Sequence, residues 1–217
     1  MNGKIGECPV KHGKADDCPA INPSNLIPTN LDEVPLPAEA QTLPTHRVTS
    51  SIPRAEGDSW VYPSERQFYA ALHRKGNAPE TDAIPAVLAI HNHLNEKVWN
   101  EILQRWEQLH KEECAVPKLR RFAGKPNNLT PRAWWTWCRS GVKPFDRHDW
   151  IIDRCGKDVR YVIDYYAVDD EKSNIRIGED AAVFLVDTRP ALDSLSALLD
   201  RMKIWWRERR QGRYQDE

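Results

Sequence analysis

Two histidines, two Cys-Pro pairs and one loop dense in charge are the residues whose types and spacing could do chemistry in this chain. His91 falls among Val87, Leu88, Leu94, Asn95 and Val98, on the apolar side of a segment with hydrophobic residues at i, i+3, i+4 spacing. His93 is two residues on, about 200° around a helix, so the two cannot chelate one ion. A lone imidazole on such a face is either a packed core histidine or a single axial ligand to haem iron. Cys8-Pro9-Val10 and Cys18-Pro19-Ala20 lie in a Pro-rich stretch. A thiolate followed by Pro can ligate haem iron, because Pro removes a competing backbone donor and stiffens the approach. An ordinary unstructured tail is the alternative. Pro144-Phe145-Asp146-Arg147-His148-Asp149-Trp150 packs two acids, an Arg, a His and two aromatics together. Buried charges at that density must pair with one another or with a ligand. Arg147, or Arg154 beyond it, could hold a carboxylate bidentately, and haem propionates are carboxylates. A structural ion-pair network is the alternative.

Several elements must position these groups. Ser64 is placed to cap a short helix through Phe68, Tyr69 and Leu72 that ends at Gly76. A long amphipathic helix follows, capped by Thr81 or Asp82, with Pro85 in its first turn and an end near His110. Pro117, Gly124 and Pro126 read as loop. Thr130-Pro131 opens a short helix carrying Trp134, Trp135 and Trp137. Trp150 to Ile152 and Val159 to Tyr166 read as a hairpin around Gly156, with Ala182 to Val186 as a third strand. Asp169 to Asp180 reads as a polar loop. Pro190 suits the N1 position of a last helix with Leu192, Leu195, Leu199, Met202 and Trp206 on one stripe. The expected class is α+β, with helices, including the long one, packed on a small antiparallel sheet. Residues 1–57 hold no aromatic residue and nine prolines fall at or before Pro63, so a disordered Pro-rich tail is expected over 1–57 and a folded unit over 58–217.

The 217 residues carry 31 Lys+Arg against 32 Asp+Glu, which disfavours a nucleic-acid binder. No run of 18–20 apolar residues is present to span a membrane, and Met1-Asn2-Gly3-Lys4 opens no apolar leader. The last helix gathers Arg201, Lys203, Arg207, Arg209, Arg210 and Arg213 around Trp205 and Trp206. That reads either as a membrane-surface contact or as a solvated basic helix end. The five cysteines are odd in number and lack C-x-x-C pairing, so neither a disulfide framework nor a zinc cage is expected. No H-E-x-x-H, C-x-x-C-H, phosphate-binding glycine loop or Ser-His-Asp order appears.

Trp60-Val61-Tyr62-Pro63-Ser64-Glu65, Ile90-His91-Asn92 with Asn95-Glu96, and Pro144 to Arg154 form a distinctive set. So do Arg160 to Tyr166 and Asp187 with Arg189 to Ser194. In these runs the chain resembles the mitochondrial holocytochrome c synthase, or cytochrome c-type haem lyase, family. The resemblance implies an enzyme that joins the vinyl groups of haem b, with iron ferrous, to the thiols of a C-x-x-C-H motif in apocytochrome c or c1. By the same resemblance His91 is the axial iron ligand, and Trp60, Tyr62, His148 and Arg154 line or support the haem site. Glu96 is a supporting group, and the Cys8 and Cys18 pairs are haem-regulatory motifs. Position 20 departs from the family, with Ala where Val is usual. Location in the intermembrane space, peripheral on the inner membrane, is implied as well. A non-enzymatic haem carrier or sensor using His91 and the Cys-Pro pairs is the alternative, and an aromatic protein-binding surface without haem is a third reading.

Overall fold

The computed structural model describes residues 34–77, 79–168 and 183–210, with Asn22, Leu31 and Gly212. In chain order the elements are α1 (Ala38–Gln41), β1 (Thr49–Pro53), β2 (Ser59–Val61), α2 (Glu65–Arg74), α3 (Ile84–Glu101) and β3 (Lys118–Gly124). Then come α4 (Pro131–Ser140), β4 (Asp146–Arg154), β5 (Lys157–Val168), β6 (Val183–Pro190) and α5 (Leu195–Arg210). The expected α+β class is observed.

Local chemistry accounts for most element ends. Ser64 caps α2 reciprocally: its hydroxyl accepts from Gln67 N, and the Gln67 side chain accepts from Ser64 N. Thr130 caps α4 by accepting from Ala133 N at 2.9 Å, Pro131 fills the first position, and left-handed Gly141 ends it. A 3₁₀ turn at Thr81–Ala83 leads into α3 without a side-chain cap. A π turn (Ile102–Trp106) and a 3₁₀ turn (Glu107–His110) extend the helix to the expected end.

The strands β3-β4-β5-β6 form one antiparallel sheet, and β1 pairs with β2 beside it. The β4–β5 hairpin turns at Cys155-Gly156, both with positive φ, which suits the right-handed twist of the strands. Strand alternation divides the sheet into two faces. His148, Trp150, Ile152, Tyr161, Ile163 and Tyr165 lie on the face covered by the long helix. There Val98, Trp99, Ile102 and Trp106 meet Trp150, Ile152, Tyr161, Ile163, Leu119 and Ile204 in the main core. The opposite face carries Arg147, Asp149 and Asp164 in register, and Asp164 accepts from the α4 cap Thr130 at 3.0 Å.

Five expectations need correction. The stretch between Pro117 and Pro126 is not all loop, since Lys118–Gly124 is an edge strand whose outward residues are basic. Pro190 ends β6 instead of opening the last helix. Ser194 opens it, its hydroxyl accepting from Ala197 N at 3.2 Å. The stripe of Leu195, Leu199, Met202 and Trp206 faces outward, while Ala197, Asp200 and Ile204 face the fold. Ordered structure also begins before residue 58: β1 pairs with Ser59–Val61, and Ile52 enters the core because its strand is covered on one side. Finally, Cys114 and Cys155 are joined as a disulfide with Cα atoms 5.5 Å apart, although the odd count and spacing of the cysteines gave no expectation of one. The fold brings the end of the long helix against the β4–β5 turn, a proximity that 41 residues of sequence separation conceal. The expected polar loop at 169–180 and the Cys8 and Cys18 pairs lie outside the described residues.

Candidate functional site

The α3 residues His91 and Glu96 and Tyr62, the residue after β2, come together where the helix crosses the small β1–β2 sheet. Glu96 is the fixed point. Its Oε1 accepts from Ser50 Oγ at 2.5 Å, Tyr62 Oη at 2.9 Å and Ser51 N at 3.2 Å, and Oε2 accepts from Ser51 Oγ. Burial pushes the Glu96 carboxyl up, but the hydrogen bonds from Ser50, Ser51 and Tyr62 outweigh it and hold the group below its ordinary range. The carboxylate therefore remains ionised and locks Tyr62 against the helix. Burial, with Glu96 beside it, pushes the Tyr62 phenol well above its usual value, so it stays a neutral donor. Ser50 and Ser51 had no signal in the sequence, since nothing in Thr49-Ser50-Ser51-Ile52 points to a carboxylate 45 residues away.

His91 lies between Tyr62 and Phe68, with ring centroids 6.5 Å and 5.5 Å away. Asn92 Oδ1 is 3.4 Å from His91 Nδ1. When Nδ1–H donates to that oxygen, Nε2 carries the lone pair, and the Asn95 Nδ2 amide approaches it at 3.5 Å. Burial, aided by the nearby His148, holds His91 below its ordinary pKa. The imidazole is thus neutral at pH 7, as a metal ligand must be. His93 is exposed on another side of the helix.

His148 enters from β4 and shares the helix-covered face. Its Nε2 is 3.1 Å from Asp146 Oδ2, and its ring stands edge-on to Tyr165, 5.4 Å between centroids. Burial raises the Asp146 carboxyl, but the hydrogen bond from His148 more than offsets this and keeps the group low. Gly124 lies against the imidazole: a Cβ there would meet His148 Nε2 at 3.4 Å. His148 Nδ1 and Tyr165 Oη are buried and unpartnered among the described residues. Buried polar atoms are nearly always satisfied, so two orphans beside His91 are suited to a polar ligand. Among the described residues no three His, Cys, Asp or Glu side chains gather into a cage for a bare metal ion.

Trp60 and Arg154 do not join this group. Trp60 is a core residue: its indole N–H donates to Leu119 O at 3.2 Å, and its ring meets Phe122 edge-on. Arg154 is six residues along β4 from His148, roughly 20 Å at strand spacing. Its guanidinium binds the Glu107 carboxylate bidentately, both bonds at 2.8 Å, and Tyr161 Oη donates to the same carboxylate at 2.7 Å. Arg154 does hold a carboxylate, but the carboxylate belongs to the protein. Near that end a cavity of about 760 Å³ is lined by Arg120, Arg121, Arg160, Asp158 and Asp193 among others, with no histidine or aromatic ring. Size favours that cavity, but the two imidazoles and the aromatic rings beside them are at His91 and His148.

Comparison with known proteins gives a consistent result. The family model described as "Cytochrome c/c1 heme lyase" matches residues 6–205. The chain is 47% identical to the holocytochrome c-type synthase of Gallus gallus over 92% of its own length and 73% of that protein. It is 44% identical to the Homo sapiens holocytochrome c-type synthase over 93% of its length and 75% of the other. It is 40% identical to the holocytochrome-c synthase of Saccharomyces cerevisiae over 90% and 78%. No solved structure matches it.

Proposed function

The chain belongs to the cytochrome c/c1 heme lyase family and is a lyase, and from that membership we propose that it attaches haem b to apocytochrome c through thioether bonds. Apocytochrome c1 is the second candidate substrate. The observation that carries the reading is His91, a neutral half-buried imidazole between two aromatic rings, with Asn92 Oδ1 at Nδ1 and only a long 3.5 Å approach of the Asn95 amide to Nε2. A lone imidazole suits iron already held by the four nitrogens of a porphyrin. The histidine of the substrate C-x-x-C-H motif would take the opposite face of ferrous iron. Each substrate thiol would then lie beside a vinyl group. Addition of S–H across the vinyl double bond makes a C–S bond on one carbon and a C–H bond on the other, with no net oxidation. Much of the catalysis is then the holding of two reactants in one orientation.

Tyr62 and Glu96 act as positioning groups for His91. His148 and Tyr165 present polar atoms to the substrate side, which suits a haem edge or its propionates. Cys8 and Cys18 would contribute a separate, regulatory haem contact. The protein would work in the intermembrane space, peripheral on the inner membrane; no described helix is long and apolar enough to cross a membrane.

Co-expression with a cytochrome c in a bacterial cytoplasm lacking its own maturation system tests the reading. A haem-stained band at the cytochrome's mass on a denaturing gel is expected, and it should vanish with His91→Ala. Haem co-purifying on the chain without any covalent product would overturn ligation and leave a haem carrier.

A further inference from the structure

The nine tryptophans divide into two groups. Trp60, Trp99, Trp106 and Trp150 are buried, whereas Trp134, Trp135, Trp137, Trp205 and Trp206 are 40–63% exposed. All five exposed indoles stand on α4 and α5. α4 rests on the outer face of the sheet through Ala133 and Thr130, and its tryptophans face away. α5 packs through Ala197, Asp200 and Ile204, and turns Leu195, Leu198, Leu199 and Met202 outward beside its two tryptophans. The helices flank β6 from opposite faces of the sheet: Thr130 at the start of α4 meets Asp164 on one, and Ile204 of α5 joins the main core on the other. Arg132 of α4 pairs with Asp187 at 2.9 Å, and Arg201 of α5 lies in the field of both while donating to Pro190 O.

The charge is as uneven as the tryptophans. α4 carries Arg132 and Arg139 and no acid. α5 carries five basic residues against Asp200 and Glu208. Of those two acids, Asp200 is buried against His110, and Glu208 is paired with Arg105. Cations sit over the outer indoles: Arg209 on Trp205 at 4.8 Å, Arg210 on Trp206 at 5.3 Å, and Lys143 on Trp137 at 5.8 Å. Yet the whole chain has a net charge of −1. Indoles prefer the boundary between hydrocarbon and water, and Lys and Arg reach from such a boundary to anionic headgroups. We infer that the outward stripe of α5, Leu195, Leu198, Leu199, Met202 and Trp206 with Trp205 beside it and Lys203, Arg209 and Arg210 around it, is a docking surface that lies in the headgroup layer of an anionic bilayer. This deepens the peripheral-membrane part of the proposed function by naming the face that binds, with lipid as its occupant.

Flotation of the full chain with vesicles tests the inference without haem or cytochrome. The vesicles are phosphatidylcholine alone or mixed with phosphatidylglycerol. The chain should float with the anionic vesicles and dissociate as salt rises from about 0.1 M to about 0.5 M. Tryptophan emission should be quenched by brominated lipid. Trp205→Ser and Trp206→Ser together should weaken partitioning about tenfold or more, while Trp134→Ser, Trp135→Ser and Trp137→Ser, on the other face, should leave it unchanged. Lys203→Ala, Arg209→Ala and Arg210→Ala should weaken it about fivefold each, or about a hundredfold together, at low salt. Circular dichroism should be unchanged in all of these variants, since each replaced residue is on the outside. Equal partitioning of the parent and the α5 variants, absence of quenching, or self-association without vesicle binding would overturn the inference. A chain that floats but yields no haem-stained cytochrome would overturn the lyase chemistry and support this surface. A chain that yields the product but never floats would overturn this surface alone.

Discussion

Replacing Arg154 by Met removes one half of an ion pair whose side chains are 2% and 3% exposed. Two N–H donors at 2.8 Å are lost, and the Glu107 carboxylate keeps only the Tyr161 hydroxyl. It must then stay charged in the interior or take up a proton at a cost. Breaking a buried pair from one side costs about 3–5 kcal/mol, equivalent to about 6–20 °C of melting temperature for a chain of this size. Adding Glu107→Gln should return much of that loss, because a neutral amide of the same shape can still accept from Tyr161 and no longer carries a buried charge. Denaturant unfolding followed by far-ultraviolet circular dichroism measures both variants, and haem retention is read on the folded fraction. The reasoning fails if Arg154→Met unfolds at the parent's midpoint, or if the double variant is no more stable than the single one. A variant of full stability that loses haem would return Arg154 to the haem site.

Glu96 is held below its ordinary pKa, so its stabilising effect is present above the unfolded carboxylate range and is lost as pH falls through the folded value. Glu96→Gln should therefore be less stable than the parent near pH 7 and lose less of its remaining stability between about pH 5 and pH 3, as acid titration of the unfolding midpoint would record. Cys114→Ser with Cys155→Ser opens a loop spanning 41 positions and should lower stability by about 3–4 kcal/mol. Reductant should destabilise the parent and leave the double variant unchanged. His148→Ala should retain haem through His91, seen in the Soret band of the purified chain, while covalent product falls at least tenfold. Loss of the Soret band in that variant would instead make His148 a ligand.

The elements most legible from sequence were those whose ends carry their own chemistry. Ser64 with Gln67, and Thr130 with Pro131 and Gly141, state where α2 and α4 begin or stop. The alternation of Tyr161, Ile163 and Tyr165 with Arg160, Val162 and Asp164 states which side of β5 is inside. β3 was hidden because an edge strand needs few apolar residues: Leu119 and Ala123 are its buried residues, and Lys118, Arg120 and Arg121 surround the first of them. For α5 the period was plain but its direction was not, since a stripe of Leu, Met and Trp has the same spacing whether it meets a core or the outside. The site was legible at His91 because an imidazole interrupts an apolar stripe. Its support was not, because Ser50, Ser51 and Tyr165 reach it only through tertiary folding. Arg154 shows the opposite problem: the residue type correctly implied a bidentate carboxylate, but nothing in the local sequence named Glu107 as its owner.

The π turn at Ile102–Trp106 sets the phase of everything after it. An α-helix advances about 100° per residue, and a π turn accommodates one residue beyond the regular count. Trp106 and Glu107 are adjacent, yet both are inward, at 5% and 4% exposure. Deleting one residue from this turn would restore uninterrupted phase and swing Glu107 and His110 off their partners Arg154 and Asp200. His91 and Glu96, upstream of the turn, would keep their bearing. The helix is in effect two shafts joined by a fixed offset coupling, one end setting the reactive imidazole and the other clamping the sheet. Substitutions can retune either end by itself, but the number of residues between them is fixed.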